Sequence, residues 1–509
     1  MLRTVNSAFS FQSSVFSKIL LSLLSGVLLA SSFSFAFLGI LSWLAFLPVF
    51  FALENTSLKK ACLLFFISGI IFWSGTIYWL AHVTLPGTVV LILYLSLYFA
   101  AFGLIIRPFT MNSTIFGLFI IPSIWVLLEY IRSYLFTGFP WALLGYSQCF
   151  NLPIIQIADL TGGWGVSFLV IFVNAALVEM VWAMRERLWA RSKAVFILLT
   201  SVLFIICAYG YFRLYLPAYT GNERMLRVSV IQGNIPQELK WDELAAGYIV
   251  NKYLRLSEEA AVSKPDLIVW PEAASPGLFG QDDAIFEGFY ALARKIEIPL
   301  LLGTVTRSKD IFFNSAILID SKGEVAGRYD KLHLVPFGEY IPLKKYLPFL
   351  ETVVPIGDIQ PGRSHYIFNK PAKFCVLICF EDLFPELSRE FTKRGAQFLV
   401  NITNDAWYKK TSAPYQHLQA SIFRAVENRR YLVRSANTGI SGFISPDARI
   451  LSLVRDTSGR EIFVDGFLTQ KLMLGAQGLT FYTRFGDWFI IICLLLAFFG
   501  AVSYYSRKR

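Results

Sequence analysis

Three short segments of the 509-residue chain place a reactive side chain just beyond an apolar run. In Ile268-Val269-Trp270-Pro271-Glu272 the proline ends a strand-like run, so the carboxylate of Glu272 projects from the loop that follows. In Tyr329-Asp330-Lys331-Leu332-His333-Leu334-Val335-Pro336-Phe337-Gly338-Glu339, Lys331 and Glu339 flank an apolar turn. In Val376-Leu377-Ile378-Cys379-Phe380-Glu381-Asp382 a hydrophobic strand runs into Cys379. A carboxylate, an ammonium and a thiol are the parts of nucleophilic acyl transfer. A thiol is mostly protonated at neutral pH, so a base must take its proton, and a fixed cation stabilises thiolate and oxyanion. Taken singly, each residue has a plainer reading: Glu272 a surface carboxylate, Lys331 a solvated loop cation, Cys379 a small core residue. Strand ends are where open α/β sheets collect their active sites, and that shared position favours reading the three together.

Strand ends need a sheet behind them. From about Met225 to Arg484 the composition turns globular, roughly 260 residues, enough for one large α/β domain. Leu226–Gln232, Leu267–Trp270, Pro299–Val305, Asn314–Ile319, Phe374–Ile378, Phe398–Ile402 and Tyr431–Ser435 predict strands. Asp282–Ile296, Pro385–Arg394 and Gln416–Asn428 predict helices between them. Such alternation implies layers with buried strands. The chain shows no internal repeat and neither GxGxxG nor GxxxxGK[ST], which argues against a nucleotide-driven enzyme. Its six cysteines form no CxxC pattern, and Cys375 and Cys379 share a strand face where they are poorly placed to pair. No metal centre and no disulfide-stapled fold are expected; a lone working thiol is compatible.

The remainder is unlike a soluble protein. Hydrophobic residues make up 55% of the chain and charged residues 16%, against about 25% charged in ordinary soluble domains. The net charge of +11 gathers in short clusters beside apolar runs, as in membrane-flanking loops rather than a nucleic-acid surface. A spanning helix needs about 20 apolar residues. Ile19–Leu53 predicts two short spans turning near Ser31–Ser34, and Ala61–Ile106 two more with a turn around His82–Gly87. Ile115–Leu128, Trp164–Leu177, Ala194–Phe212 and Trp488–Ser503 complete eight, with Pro122 inside the fifth. The first run, lacking a small-residue cleavage site, is expected to stay as an anchor.

Basic residues set the orientation. With a cytoplasmic N-terminus, Arg3, Lys18, Lys59, Lys60, Arg107, Arg185, Arg187, Arg191, Lys193, Arg507, Lys508 and Arg509 lie inside, while the short outside connections hold only Arg132. Both termini are then cytoplasmic and the polar domain is extracytoplasmic. Glu129 and Arg132, three residues apart before Gly138-Phe139-Pro140-Trp141, predict an intrahelical ion pair near the interface, with a lipid-headgroup niche as the functional alternative.

In this order the three segments resemble the Glu, Lys and Cys motifs of the nitrilase superfamily: a strand ending in PE, a DK-x-H-x-V-P-F-G-E loop, and a strand ending in C-[YF]-E. Spans before the domain and one after it resemble the membrane-embedded branch, the apolipoprotein N-acyltransferases. The likeness extends to GFPW and GYSQ within 138–148, QGNIPQELKWD at 232–242, NDAWY at 404–408 and SANTGISG at 435–442. Phe380 departs from it, standing where the family often carries tyrosine. The resemblance implies an eight-span α-helical membrane domain plus an extracytoplasmic α/β nitrilase-like domain, an α-β-β-α sandwich. Residues 1–217 would carry seven spans, 218–484 the catalytic domain, and 485–509 the last span and tail.

It further implies a multi-pass protein of the bacterial inner membrane that needs no cofactor or metal and works as a monomer. Cys379 would attack a phospholipid ester, form a thioester and release a lysophospholipid. The α-amine of a diacylglyceryl cysteine on an apolipoprotein would then take the acyl chain. Glu272 is the implied base and Lys331 the cation, with Glu339, Glu381 and the Phe380 backbone in support. Trp241, Trp407, Gly145 and Tyr146 are assigned to substrate contacts, and the apolar stretch 340–350 to an interfacial lid. The alternative enzyme is a membrane-tethered nitrilase-type amidase, for which eight spans are superfluous. A transporter would be expected to carry inverted repeats or mid-membrane charges, and a scaffold would not explain three reactive strand ends.

Overall fold

The computed structural model describes residues 14–34, 36–111, 116–215, 224–240, 242–341, 359–475 and 478–506. Its N-terminal part consists of apolar helices: α1 (Val15–Ser31), α2 (Leu58–Thr76), α3 (Leu85–Met111), α4 (Gly117–Tyr134), α5 (Gly163–Arg185) and α6 (Trp189–Tyr215). Four of these, α2, α3, α5 and α6, are long and apolar enough to cross a membrane. Shorter apolar helices lie at Val15–Ser31, Leu38–Ala52, Leu152–Thr161 and Trp488–Tyr504. α4 has 18 residues and carries Pro122, Glu129 and Arg132.

Where the sequence predicts a second span before Leu53, the structure has a 3-10 turn (Ala36–Trp43) and a short helix (Leu47–Ala52). Pro48 opens that helix, and its backbone is satisfied by side chains of neighbours. Phe46 N–H donates to Asn174 Oδ1 and Val49 N–H to Ser25 Oγ, both at 2.9 Å. Irregular backbone is tolerated among apolar helices only when its polar groups are met in this way. Gly39 permits the close approach: a Cβ there would lie 2.1 Å from the Ser147 carbonyl oxygen.

The polar domain is built on two sheets. The first holds β1 (Arg224–Gln232), β2 (Leu267–Val269), β3 (Leu278–Phe279), β4 (Leu300–Ser308), β5 (Ile311–Ile319), β6 (Val325–Asp330) and β12 (Gly466–Leu474), in the order β12-β1-β2-β4-β5-β6 with β3 beside β4. The second runs β11-β10-β9-β8-β7, from β7 (Phe374–Ile378), β8 (Phe398–Thr403), β9 (Tyr431–Ala436), β10 (Gly442–Ile444) and β11 (Ile450–Leu453). Residues alternate between faces along each strand. Leu226, Val228, Val230, Val269, Leu301 and Leu318 join the core shared with β7, β8 and β9. The opposite face, with Ile268, Trp270, Leu300 and Leu302, packs on α7 (Ala246–Ala261) and α8 (Asp283–Ile296). Outside the second sheet lie α9 (Pro385–Lys393) and α10 (Ala413–Asn428), and the last described helix is α11 (Trp488–Ser506). The layers are therefore α-β-β-α. All seven predicted strands and three predicted helices occur at their expected places; α7, β3, β6 and β10 to β12 are additional.

β1 pairs antiparallel with β12 along its whole length, from Arg224 opposite Leu474 to Gln232 opposite Gly466. The two ends of the domain thus leave it side by side.

α10 joins this domain to the apolar helices, and all its residues but Tyr415 are buried. Near its start, Gln416 Oε1 accepts from the indoles of Trp79 (3.1 Å) and Trp141 (2.8 Å), and Gln416 Nε2 donates to the Thr76 carbonyl. Near its end, Glu427 Oε1 accepts from Gly163 N–H at 3.0 Å, setting a carboxylate at the positive N-terminus of α5. Arg424 holds that carboxylate with two nitrogens, each at 2.8 Å, and also donates to the carbonyls of Asp382 and Leu383. Removing one partner of a buried pair leaves an uncompensated charge, a loss of about 3–5 kcal/mol. Arg424→Met is accordingly expected to lower the melting temperature of the detergent-solubilised protein steeply. Arg255→Ala, which removes an exposed ion pair on α7, should leave it within about 0.5 kcal/mol of wild type.

Candidate active site

Glu272 leaves the first sheet just after β2, where Trp270 N–H donates to Leu301 O and Gly303 N–H to Pro271 O. Gly303 is required by that approach: a Cβ on it would lie 2.6 Å from Glu272 Cα. Lys331 leaves the same sheet just after β6, its N–H donating to Asn314 O on β5 at 2.8 Å. The apolar turn that follows brings Glu339 back, with its N–H on Val335 O. β2 and β6 run in the same direction with β4 and β5 between them, so one sheet delivers both carboxylates and the ammonium to one end.

All three are nearly removed from solvent, Lys331 at 1% exposure, Glu272 at 7% and Glu339 at 8%. Lys331 Nζ lies 2.8 Å from Glu339 Oε2 and 3.6 Å from Glu272 Oε1. Asn314 Nδ2 bridges the two carboxylates, donating to Glu272 Oε1 (2.8 Å) and Glu339 Oε1 (2.7 Å). Val335 N–H donates to Glu339 Oε2, and Asn404 N–H to Glu272 Oε2 at 2.9 Å. Burial alone would depress the Lys331 ammonium; Glu339 and Glu272 outweigh it and hold the group above its ordinary range. Lys331 is a fixed cation.

Cys379 arrives from the second sheet at the end of β7, with φ of +55°. A non-glycine residue in that region stores strain of order 1–3 kcal/mol and is held by its surroundings. Asn401 Nδ2 donates to the Cys379 carbonyl at 2.9 Å and to Leu377 O at 3.1 Å. Glu381 closes the turn, accepting from Ile378 N–H, Leu332 N–H, His333 N–H and the Tyr329 hydroxyl. It therefore clamps the cysteine turn to the lysine loop, and burial pushes its carboxyl up to about 7. Burial and the nearby Glu272 push the Cys379 thiol well above its usual value, with Lys331 opposing them. At rest Cys379 is therefore a neutral thiol.

Beneath this turn lies a second charged cluster that sequence reasoning missed. His417 on α10 sits between Asp382 (Nε2 to Oδ1, 2.8 Å) and Asp405 (Nδ1 to Oδ1, 3.0 Å). Arg434 reaches both aspartates and donates to Asn401 Oδ1 at 2.6 Å. Burial and Arg434 push the imidazole down, but the two aspartates prevail and raise it. Two anions face two cations, and Asn401 passes the arrangement on to Cys379. The signals were faint: a histidine within a helix, an arginine within an apolar strand, and Asn314 in the run Phe313-Asn314-Ser315.

The structure places the other predicted residues as follows. Phe380 is partly buried, with Lys331 Nζ 5.7 Å from its ring centroid. Trp407 is 53% exposed in the 3-10 turn Asp405–Tyr408, the turn that also holds Asp405. Gly145 and Tyr146 do not join this cluster: Gly145 N–H donates to Ser167 Oγ, and the Tyr146 hydroxyl accepts from Arg424. They belong to the joint with α5 and α10. Arg132 binds the Phe139 and Trp141 carbonyls and stacks over Trp73, while Leu144 N–H donates to Glu129 Oε1. Trp241 and residues 342–350 of the expected lid lie outside the described residues. Among the described residues no cluster of metal-ligating side chains occurs and every cysteine is free.

Residues 25–176 match the family model of the apolipoprotein N-acyltransferase N-terminal domain, and residues 227–464 match that of the carbon-nitrogen hydrolases. The apolipoprotein N-acyltransferase of Geobacter metallireducens is 40% identical, covering 96% of this chain and 95% of its own. The chain belongs to the apolipoprotein N-acyltransferase family. Its acyltransferase relatives in Pasteurella multocida and Rickettsia bellii are each 32% identical, covering 95% or more of this chain. In this acyltransferase the hydrolase-type match lies within the two-sheet domain and stops just before β12, and the N-terminal match runs from within α1 into α5. Among solved structures, a nitrilase-superfamily amidase of Nesterenkonia AN1 aligns at 20% identity and a TM-score of 0.39, covering 52% of this chain and 95% of that one.

Alkylation by iodoacetamide, read at Cys379 by peptide mass mapping, follows the thiolate fraction. Glu272→Gln removes the anion that raises the thiol, so alkylation at pH 8 should speed up, about tenfold for one pKa unit. Lys331→Met leaves two carboxylates beside the thiol and should slow it by at least as much. Equal rates in all three proteins would show that neither charge acts on the thiol.

Proposed function

We propose that this enzyme transfers an acyl chain from a phospholipid to the α-amine of an apolipoprotein's N-terminal diacylglyceryl cysteine, through a thioester on Cys379. The observation that carries the reading is Lys331, buried between Glu272 and Glu339 beside a strained cysteine turn, in a chain of this family. Glu272 takes the thiol proton as Cys379 attacks the ester carbonyl and returns a proton to the leaving lysophospholipid alcohol. Lys331 and the backbone N–H groups of the cysteine turn stabilise the oxyanion, with Glu339 fixing Lys331 and Glu381 fixing the turn. In the second half, Glu272 takes a proton from the attacking amine and returns it to the Cys379 sulfur as the thioester opens. Splitting the transfer in two suits substrates that meet the enzyme one at a time.

Both substrates are held in a bilayer, which accounts for a catalytic domain tied to apolar helices. We place residues 1–217 in the membrane with seven spans, 218–484 outside the cytoplasm as the catalytic domain, and 485–509 as the eighth span and tail. The twelve-to-one distribution of basic residues supports that orientation in the inner membrane. Trp407 and Trp241 are assigned to acyl-chain contacts, and nothing in the mechanism calls for more than one copy of the chain.

Intact mass after exposure to phospholipid vesicles tests the reading. One acyl group should appear on the protein with one equivalent of lysophospholipid, and none on Cys379→Ala. A diacylglyceryl-cysteine peptide should discharge the adduct as an amide. Discharge to free fatty acid alone would make the enzyme a hydrolase, and no adduct would remove the thioester route. Glu272→Gln should slow adduct formation by about 10²–10⁴.

A further inference from the structure

Lys240 lies outside the three motif segments and is 4% exposed, against the loop that carries Glu272. It closes the 3-10 turn Gln237–Leu239 that follows β1. Its Nζ donates to the main-chain carbonyls of Glu272 (3.2 Å) and Ala273 (3.0 Å). Ala273 has φ of +46°, so the backbone just beyond the carboxylate is itself strained. From the same turn, Gln237 Oε1 accepts from Asn404 Nδ2 at 2.8 Å, and Asn404 N–H is the donor to Glu272 Oε2. One turn therefore braces Glu272 twice, through its own backbone and through the group that holds its carboxylate.

The charge count makes a lysine at this place informative. Glu272 and Glu339 bring two negative charges and Lys331 one positive, so the cluster alone carries one net negative charge. As Glu272 takes the thiol proton, acyl transfer moves negative charge from that carboxylate to sulfur and then to the oxyanion, and the net negative charge of the pocket persists throughout. A neutral donor would serve two carbonyls equally well, whereas burying an ammonium costs several kcal/mol. Burial pushes the Lys240 ammonium down to about 8, against the upward pull of Glu272 and Cys379, so the group is mostly charged at neutral pH.

We propose that Lys240 is a positioning residue for the transfer, one that holds the Glu272 turn through two carbonyls and supplies the second positive charge that neutralises the two-carboxylate pocket. The role rests on the acyl-transfer reading. Besides Lys240, the charged groups that act on Cys379 are Glu272, Lys331 and Asp405, with Thr403 and Tyr408 nearby. Lys240 itself faces Glu272 and Cys379.

Two readouts on the full-length protein test the role, in wild type, Lys240→Met and Lys240→Arg, each first checked for an unchanged melting temperature. The pH midpoint of Cys379 alkylation by iodoacetamide needs no lipid, so it stands whether or not the enzyme accepts phospholipid. The rate of acyl-adduct formation from phospholipid vesicles reads the chemistry. Lys240→Met is expected to move the midpoint up by about one pH unit and to slow adduct formation roughly 10–100-fold, while Lys240→Arg keeps the midpoint and most of the rate. A Met variant that fails to fold is replaced by Lys240→Gln, with the same outcomes. An unmoved midpoint in the neutral variant, or an Arg variant as slow as the Met variant, overturns the assignment. Wild type that titrates normally yet takes no acyl group would instead overturn the acyl-transfer reading.

Discussion

Taking an ammonium out of water costs several kcal/mol unless carboxylates and hydrogen bonds replace the solvent around it. Lys331 is buried at the end of β6, and the loops around it are arranged by that requirement. Glu339 must return across an apolar turn to reach it, and Glu272 must leave β2 at a place where Gly303 yields room. Asn314 then ties the two carboxylates together, because like charges that share one cation need a donor between them. A fixed cation and two restrained carboxylates follow from that one burial, and Cys379 is added to them from the other sheet.

The second sheet solves a comparable problem by a different route. The cysteine turn has to keep a left-handed residue in place, and a neutral set of two aspartates, one histidine and one arginine underlies it. Buried networks of this sort are costly when half satisfied and rigid when complete. His417 and Gln416 are neighbours on α10, one facing the aspartates and the other the indoles of Trp79 and Trp141. The apolar helices and the Cys379 turn thus share one support.

Much of this was legible in the sequence. The seven predicted strands are continuous apolar runs because both faces of each sheet are covered, and such runs stand out in one dimension. Lys331, Glu272, Glu339 and Cys379 each follow or flank such a run, and the structure brings the first three into one hydrogen-bonded cluster. The elements that escaped have mixed surfaces: β12 is half-buried along most of its length, and α7 interleaves charged and apolar residues. His417, Arg434 and Asn401 escaped for another reason. Their partners lie far off in the sequence, on other elements, so no spacing announces them. Gly145 and Tyr146, assigned to substrate contacts on resemblance, lie in the joint with α5 and α10.

The pairing of β1 with β12 bears on how such a protein is assembled. Since Arg224 stands opposite Leu474, a stretch of about 250 residues begins and ends at nearly one point. To the helices on either side, α6 and α11, the whole two-sheet domain is a single long loop. A domain with adjacent ends can be inserted between two membrane segments without changing how they pack, and its folding closes on itself.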